Sequence, residues 1–262
     1  MTVKAAVFDW GGTLTPWHTV ELAEAWRAIG LGEDAASRLL AAEETVWARA
    51  RGTQRSGTMD EVFAAAGVTA GPQELAAYYA WWEEHTFTDA DVRPLWEALR
   101  ARGIRIGVLS NTLWPRAEHE RVFRRDGVAE LIDAAVYTSE IEWTKPHPAA
   151  FQAVLDALGG IAPEDAVFVG DRPWDDIAGA KGVGMRAVLI PHSAIPAYQQ
   201  GPVEGEPDAV VSRLAELLPL VDAWRSSPGW SPASRPGRRR WPGWWAGRAA
   251  SEWPARPRRT AR

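Results

Sequence analysis

Four short segments bring together side chains that could do chemistry: Phe8-Asp9-Trp10-Gly11-Gly12-Thr13, Leu109-Ser110-Asn111-Thr112, Thr144-Lys145-Pro146 and Gly170-Asp171-Arg172-Pro173-Trp174-Asp175-Asp176. Asp9 ends an apolar run and precedes two glycines, where the backbone can turn sharply. A carboxylate so placed can attack a phosphoryl group and carry it as an aspartyl-phosphate. The Ser110 hydroxyl, the amide or backbone donors of Asn111, and the turn residues Gly12 and Thr13 are candidates for holding phosphoryl oxygens. Lys145, one of only three lysines in the chain, can pair with both the nucleophile and the phosphate and neutralise charge during transfer. Asp171 with Asp175 or Asp176 offers hard oxygen ligands on one loop, as magnesium requires. Asp176 is taken as the supporting acid of the pair. Asp175 reads equally well as an acid at a helix start, favoured there by the helix dipole.

Positioning these groups requires a particular architecture. Short apolar runs at 4–8, 104–109, 134–138, 166–170 and 186–190, with a further run at 208–211, alternate with helical patterns near 94–102, 115–126, 148–158, 175–182 and 212–224. Runs that are apolar on both faces, joined by helical crossovers, predict a doubly wound parallel sheet. Such a sheet places its ligand site at the carboxyl ends of the strands, where all four polar segments fall.

The stretch 19–88 interrupts the alternation. Leu22, Trp26 and Ile29 repeat at helical spacing, as do Leu75, Tyr78, Tyr79 and Trp82. Thr58 with Glu61 spells a capping box, and Pro72 suits a first helical turn. About four helices are expected here, inserted directly over the strand ends. The expected organisation is a core of 1–18 and 89–225, a helical module of 19–88 and a tail of 226–262.

Composition narrows the function classes. The chain of 262 residues has no cysteine, which excludes disulfides, thiolate metal sites and a cysteine nucleophile. Formal net charge is −5, but 226–262 holds nine arginines against the single acid Glu252, leaving the body near −13. An acidic body argues against nucleic acid as its main partner. The tail, rich in Arg, Pro and Trp and without large aliphatic residues, is expected to be disordered, its partner open. With no membrane-length apolar run and no leader pattern at MTVKAAVFDWGG, a cytoplasmic chain is expected.

Taken in order, the four segments resemble the motifs of the haloacid dehalogenase-like (HAD) superfamily over about residues 3–224, and the helical insertion resembles its C1 cap. The resemblance implies an aspartate nucleophile at Asp9, phosphate binding at Ser110, charge balance by Lys145, and magnesium held by Asp9, Asp171 and the backbone carbonyl at position 11, with Asp176 in support. It implies a hydrolase, a phosphatase of a small phosphorylated metabolite. One departure stands out. Family phosphatases usually carry a second aspartate two residues after the nucleophile, as general acid and base, and this chain has Gly11.

Glycine keeps the carbonyl for the metal and loses the proton donor, a loss typically worth about 10²–10⁴-fold in rate. A good leaving group or a replacement donor, His18 being the nearest in sequence, would compensate. The alternatives are a catalytically weak phosphate-binding or regulatory protein, and a metal-independent dehalogenase-type hydrolase. Family phosphonatases share the Asp-Trp start but need a cap lysine, which 19–88 lacks. Trp10, Trp17, Trp114, Trp143 and Trp174 lie in or beside the motif loops; some of these rings are expected to wall the mouth of the site, while any single one reads better as packing between loops and cap. His147, before Pro148, reads as a loop residue.

Overall fold

The computed structural model describes residues 3–191 and 205–226. Six parallel strands, β1 (Ala5–Phe8), β2 (Arg105–Ser110), β3 (Ala134–Tyr137), β4 (Ala166–Gly170), β5 (Arg186–Leu189) and β6 (Ala209–Val210), lie in the order β3-β2-β1-β4-β5-β6. The chain winds outward from β1 to β3, returns to the other side of β1 and continues to β6. The order therefore reverses at β1, between β2 and β4, and a crevice opens there at the carboxyl ends.

Strand residues alternate between two apolar layers. Ala6, Phe8, Val108, Val167 and Val169 face one side, while Ala5, Val7, Leu109, Phe168 and Ala187 face the other. Nine α-helices are described: α1 (Leu22–Arg27), α2 (Glu33–Thr53), α3 (Met59–Ala66), α4 (Pro72–Trp81), α5 (Val92–Arg100), α6 (Arg116–Arg125), α7 (Pro148–Ala157), α8 (Gly179–Gly182) and α9 (Leu217–Ser226). Helices α5 and α9 cover the first layer through Leu95, Trp96, Leu99, Leu217 and Val221, and α7 covers the second through Phe151, Val154 and Leu155. This is the doubly wound α/β fold expected, with strand ends within a residue or two of those read from the sequence.

Helices α1 to α4 sit between β1 and α5 and build their own core around Trp26, Leu39, Val46, Val62 and Tyr78. Helix α2 runs 21 residues without an internal proline, has Glu33 and Asp34 in its first turn and Arg51 in its last, and ends at Gln54 in the left-handed conformation (φ 57°). That ending carries the Gln54 carbonyl to the Thr144 N–H (2.9 Å), tying the helical module to the residue before Lys145. The Thr58 hydroxyl caps α3 by accepting from Glu61 N–H at 3.2 Å, but only half of the expected box forms, because the Glu61 carboxylate pairs with Arg49. Pro72 opens α4 as expected. His147 is a helix cap, its Nδ1 accepting from Ala149 N–H at 3.2 Å. The tail reading falls outside the described residues beyond Ser226. No helix of the described residues is long and apolar enough to cross a membrane.

A buried histidine ties loop to sheet. His119 of α6 is fully buried, stacks on Tyr137 with centroids 4.4 Å apart, meets the Trp10 ring edge-on at 4.5 Å and bonds Thr112 Oγ1 through Nε2 at 2.9 Å. Burial, with Arg116 nearby, lowers its pKa to about 3. The unfolded chain takes up that proton below about pH 6.5, so the stability held by neutral His119 is complete above that value and is lost as pH falls towards 3. Urea titrations at pH 7 and 4.5 should therefore show a steeper loss for the wild type than for His119→Phe; equal losses would remove His119 from the acid response.

Candidate functional site

Asp9 follows β1 directly, and its N–H still donates to the Val169 carbonyl of β4 (2.9 Å), so its carboxylate is fixed at the crevice by the sheet ladder itself. Lys145 enters from the loop after β3. Its Nζ donates to Asp9 Oδ1 and to Asp176 Oδ1, each at 2.7 Å, and all three residues are buried. The Asn111 side chain holds the lysine's main chain at two points, accepting from Lys145 N–H (2.9 Å) and donating to its carbonyl (3.0 Å). The amide expected to hold phosphate is thus committed to positioning Lys145. Only the Asn111 backbone stays available for an anion.

The choice between Asp175 and Asp176 is made by helix type. Residues Pro173–Ala178 form a π-helical turn, with Ile177 N–H donating to the Arg172 carbonyl at 3.2 Å. The wider turn, of a kind frequent at functional sites, swings Asp176 inward. Its Oδ2 accepts from Arg172 N–H (2.9 Å), whereas Asp175 faces the Arg172 guanidinium at 3.3 Å. Close approach of Asp176 depends on Gly170, where any Cβ would overlap its carboxylate.

Asp171 completes the cluster. Carboxylate oxygens of Asp9, Asp171 and Asp176 lie within 4.8 Å of one another. Asp171 Oδ2 accepts from Trp17 Nε1 (2.8 Å), while its Oδ1 is buried without a hydrogen-bond partner. Burial pushes the Asp171 carboxyl well up; Arg172 opposes this, and the negative Asp9 and Asp176 add to it. Asp176 is also raised by burial, against the pull of Lys145. For Lys145 itself burial favours the neutral amine, yet Asp176 and Asp9 outweigh it and keep the ammonium. An orphaned oxygen among three crowded carboxylates is a donor set that a hard divalent cation fits.

Gly12 and Trp17 are matched. At φ 89° Gly12 occupies the left-handed region, and a Cβ there would overlap both Trp17 Nε1 and Asp171 Oδ2. The indole also covers Gly11, whose Cβ position lies 3.8 Å from the ring. The space where a second aspartate would project is thus faced by Trp17. Ser110 ends β2 and is buried; Thr13 is buried in the turn, and its Oγ1 has no partner.

Beside this cluster a chamber of about 420 Å³ opens between the core and the helical module, bounded on the core side by Gly12, Asn111 and Arg172. Trp10, Trp17 and Trp114 line it, as expected, and so does His18, whose ring stands 5.7 Å from His85. Trp143 and Trp174 are not on its wall. Trp143 instead stacks on His147, with centroids 4.0 Å apart, beneath the Arg55 guanidinium. The Trp17–Asp171 bond, the His119 anchor and the chamber residues of α2 carry no sequence motif. Only the unusual density of tryptophan around the loops hinted at the first.

The model of the haloacid dehalogenase-like hydrolases matches residues 3–184, and the chain belongs to that family. It is 29% identical over 231 residues to a glyceraldehyde 3-phosphate phosphatase of Methanopyrus kandleri, covering 84% of this chain and 97% of the relative. It is 32% identical over 213 residues to a phosphoglycolate phosphatase of Rhodospirillum rubrum, covering 76% and 83%. Among solved structures, a HAD phosphatase from Thermococcus onnurineus superposes with a TM-score of 0.60 at 24% identity, over 83% of this chain and 97% of that one. An L-2-haloacid dehalogenase from Xanthobacter autotrophicus reaches 0.59 at 21%, over 84% and 99%; at these identities both share the fold.

Removing the lysine leaves buried carboxylates uncompensated. Lys145→Met should lower the unfolding free energy by about 3–5 kcal/mol without added metal, and adding Asp176→Asn should recover part of it. Denaturant titration measures both, and a single variant as stable as the wild type would contradict the electrostatic account.

Proposed function

We propose that the chain is a magnesium-dependent phosphatase of a small phosphorylated metabolite. The observation that carries this reading is the Lys145 ammonium bonded to both Asp9 and Asp176, with an unpartnered Asp171 oxygen alongside. An Asp9 oxygen attacks phosphorus, the ester oxygen leaves with the bonding pair, and water then cleaves the aspartyl-phosphate to return Asp9 and inorganic phosphate. Lys145 aims the attacking carboxylate through its 2.7 Å bond to Asp9 Oδ1. Ser110, the Thr13 hydroxyl and the Asn111 N–H hold phosphoryl oxygens; the Gly12 and Thr13 N–H groups expected to help already donate to the Thr15 and Trp10 carbonyls (2.8 and 3.2 Å). Asp9, Asp171 and the Gly11 carbonyl would hold magnesium, with Asp176 acting through Lys145. Once bound, the ion supplies positive charge against the transferring phosphoryl group. The names of the curated relatives, phosphatases of glyceraldehyde 3-phosphate and of phosphoglycolate, support the substrate class. The helical module at 19–88 serves as a C1-type cap that excludes water and selects substrate.

Gly11 cannot protonate the leaving group, and Trp17 covers the place from which a replacement would act. Leaving groups that depart without a proton are therefore favoured, and ordinary alkyl phosphates turn over slowly. Asp9→Asn should abolish phosphate release from an aryl phosphate, and chelation of divalent ions should do the same; activity surviving both changes would overturn the reading. Gly11→Asp alone should leave alkyl phosphate turnover near the wild-type rate. Combined with Trp17→Ala it should raise that rate at least about tenfold, towards the range of general acid catalysis, as measured by phosphate release.

A further inference from the structure

The face that α2 turns to the chamber is unusual for a packing helix. Leu40, Glu43, Glu44 and Trp47 fall at i, i+3, i+4 and i+7, and all four line the cavity. A stripe serving only to bury apolar surface would carry hydrophobic residues at each of these positions. Here two acids stand between the leucine and the tryptophan. The Glu43 carboxylate accepts from Trp26 Nε1 at 2.8 Å and is bonded by the Trp47 indole as well, and the charge acting on it comes from a second acid, Glu44. Burial among these rings raises its pKa.

Tyr78, Trp82 and Trp114 line the same chamber and meet as a corner. Their planes cross at 62°, 68° and 74°, with centroids 5.8 to 6.4 Å apart. A flat aromatic ligand is best gripped between parallel walls, whereas rings set at steep angles present π-density from several directions, the arrangement that suits a compact cation. The chamber is also polar in the electrostatic sense. Arg172 lies on the side of the acid cluster, and Glu43 and Glu44 lie on the helical side, with the imidazoles of His18 and His85 also in the wall.

We infer that the chamber is a subsite for an organic ammonium group, so that the substrate is a phosphate monoester of an amino alcohol, its phosphate at Asp9 and its cation between Glu43 and the aromatic corner. This rests on the phosphoryl-transfer reading of Asp9 and extends it to the leaving group. The chemistry at Gly11 fits the same substrate. An ammonium two carbons from the ester oxygen withdraws electron density and stabilises the departing alkoxide, lessening the need for the missing acid. In the step, the P–O(ester) bond breaks as the Asp9–P bond forms, and the alkoxide takes its proton from water.

The test compares phosphocholine with its uncharged carbon isostere, 3,3-dimethylbutyl phosphate, on the full chain with magnesium. Binding to the Asp9→Asn variant is measured by calorimetry, so that affinity is read without turnover. Phosphocholine should bind about tenfold more tightly than the isostere. Glu43→Gln, which keeps one of the two acceptors that the Trp26 and Trp47 indoles use, should reduce that ratio to about threefold or less while leaving the isostere's affinity within about twofold. Should that variant fail to give a native thermal melt, Glu44→Gln is read in the same way, with a smaller drop in the ratio expected.

Equal affinities, a preference for the isostere, binding of neither, or a ratio that none of the folded variants alters would each overturn the inference. Phosphate release from p-nitrophenyl phosphate by the wild type, run alongside, reports separately on the phosphatase reading. Release there without an ammonium preference removes the subsite and leaves the enzyme; no release, with a preference intact, does the reverse.

Discussion

A single ammonium group, buried to within 2% of full enclosure, holds the site together. Lys145 reaches Asp9 at the end of β1 and Asp176 after β4 with one nitrogen, so the ends of two adjacent parallel strands are tied through one charge. An ion pair so placed carries a large desolvation cost, which only good geometry and further hydrogen bonds offset. The structure supplies both. Asn111 clamps the lysine's main chain, the Arg172 N–H occupies the second oxygen of Asp176, and the absence of a side chain at Gly170 lets that carboxylate come close. The arrangement still has an excess of negative charge, since Asp171 brings a third carboxylate without a second buried lysine. Burial and crowding raise the Asp171 and Asp176 carboxyls and leave a donor set that a hard cation fits.

Trp17 links this electrostatic centre to the chamber. Its indole N–H bonds Asp171, its ring covers Gly11, and it forms part of the cavity wall. The two glycines thus play different parts. Gly12 is required sterically, because the indole and Asp171 occupy the space a side chain would need. Gly11 has ordinary van der Waals clearance at its Cβ, but the ring stands over it. The bare Gly11 and the Trp17 ring that stands over it therefore belong to one local arrangement of the turn after β1.

Much of this was legible in the sequence. Strand runs such as AVFVG at 166–170 are apolar at every position because both sheet faces are covered, and that pattern survives without any knowledge of neighbours. Asp9 and Asp171 could be singled out because each directly follows such a run, and Lys145 because it falls in order after the third. The helical module was visible through the repeat of Leu75, Tyr78, Tyr79 and Trp82. Other features were not legible. The Thr58–Glu61 pattern predicts a full capping box, but Arg49, one helix away, takes the glutamate. Five tryptophans near the loops looked equivalent, yet Trp143 prefers the imidazole of His147, and only Trp10, Trp17 and Trp114 reach the chamber.

By itself, the sequence determined the order of strands and helices and the identity of the groups at the strand ends, because periodicity and short offsets are local properties that parallel pairing then carries to one edge. Only the tertiary structure decided which of two adjacent aspartates turns inward, since that depends on the extra residue held in a π-turn. It alone decided that Trp17 meets Asp171 across 154 residues of chain, and that Glu43 lies in an aromatic chamber rather than in solvent. Contacts between distant residues are selected by packing and by the pairing of buried polar groups, and no local pattern specifies those partners in advance.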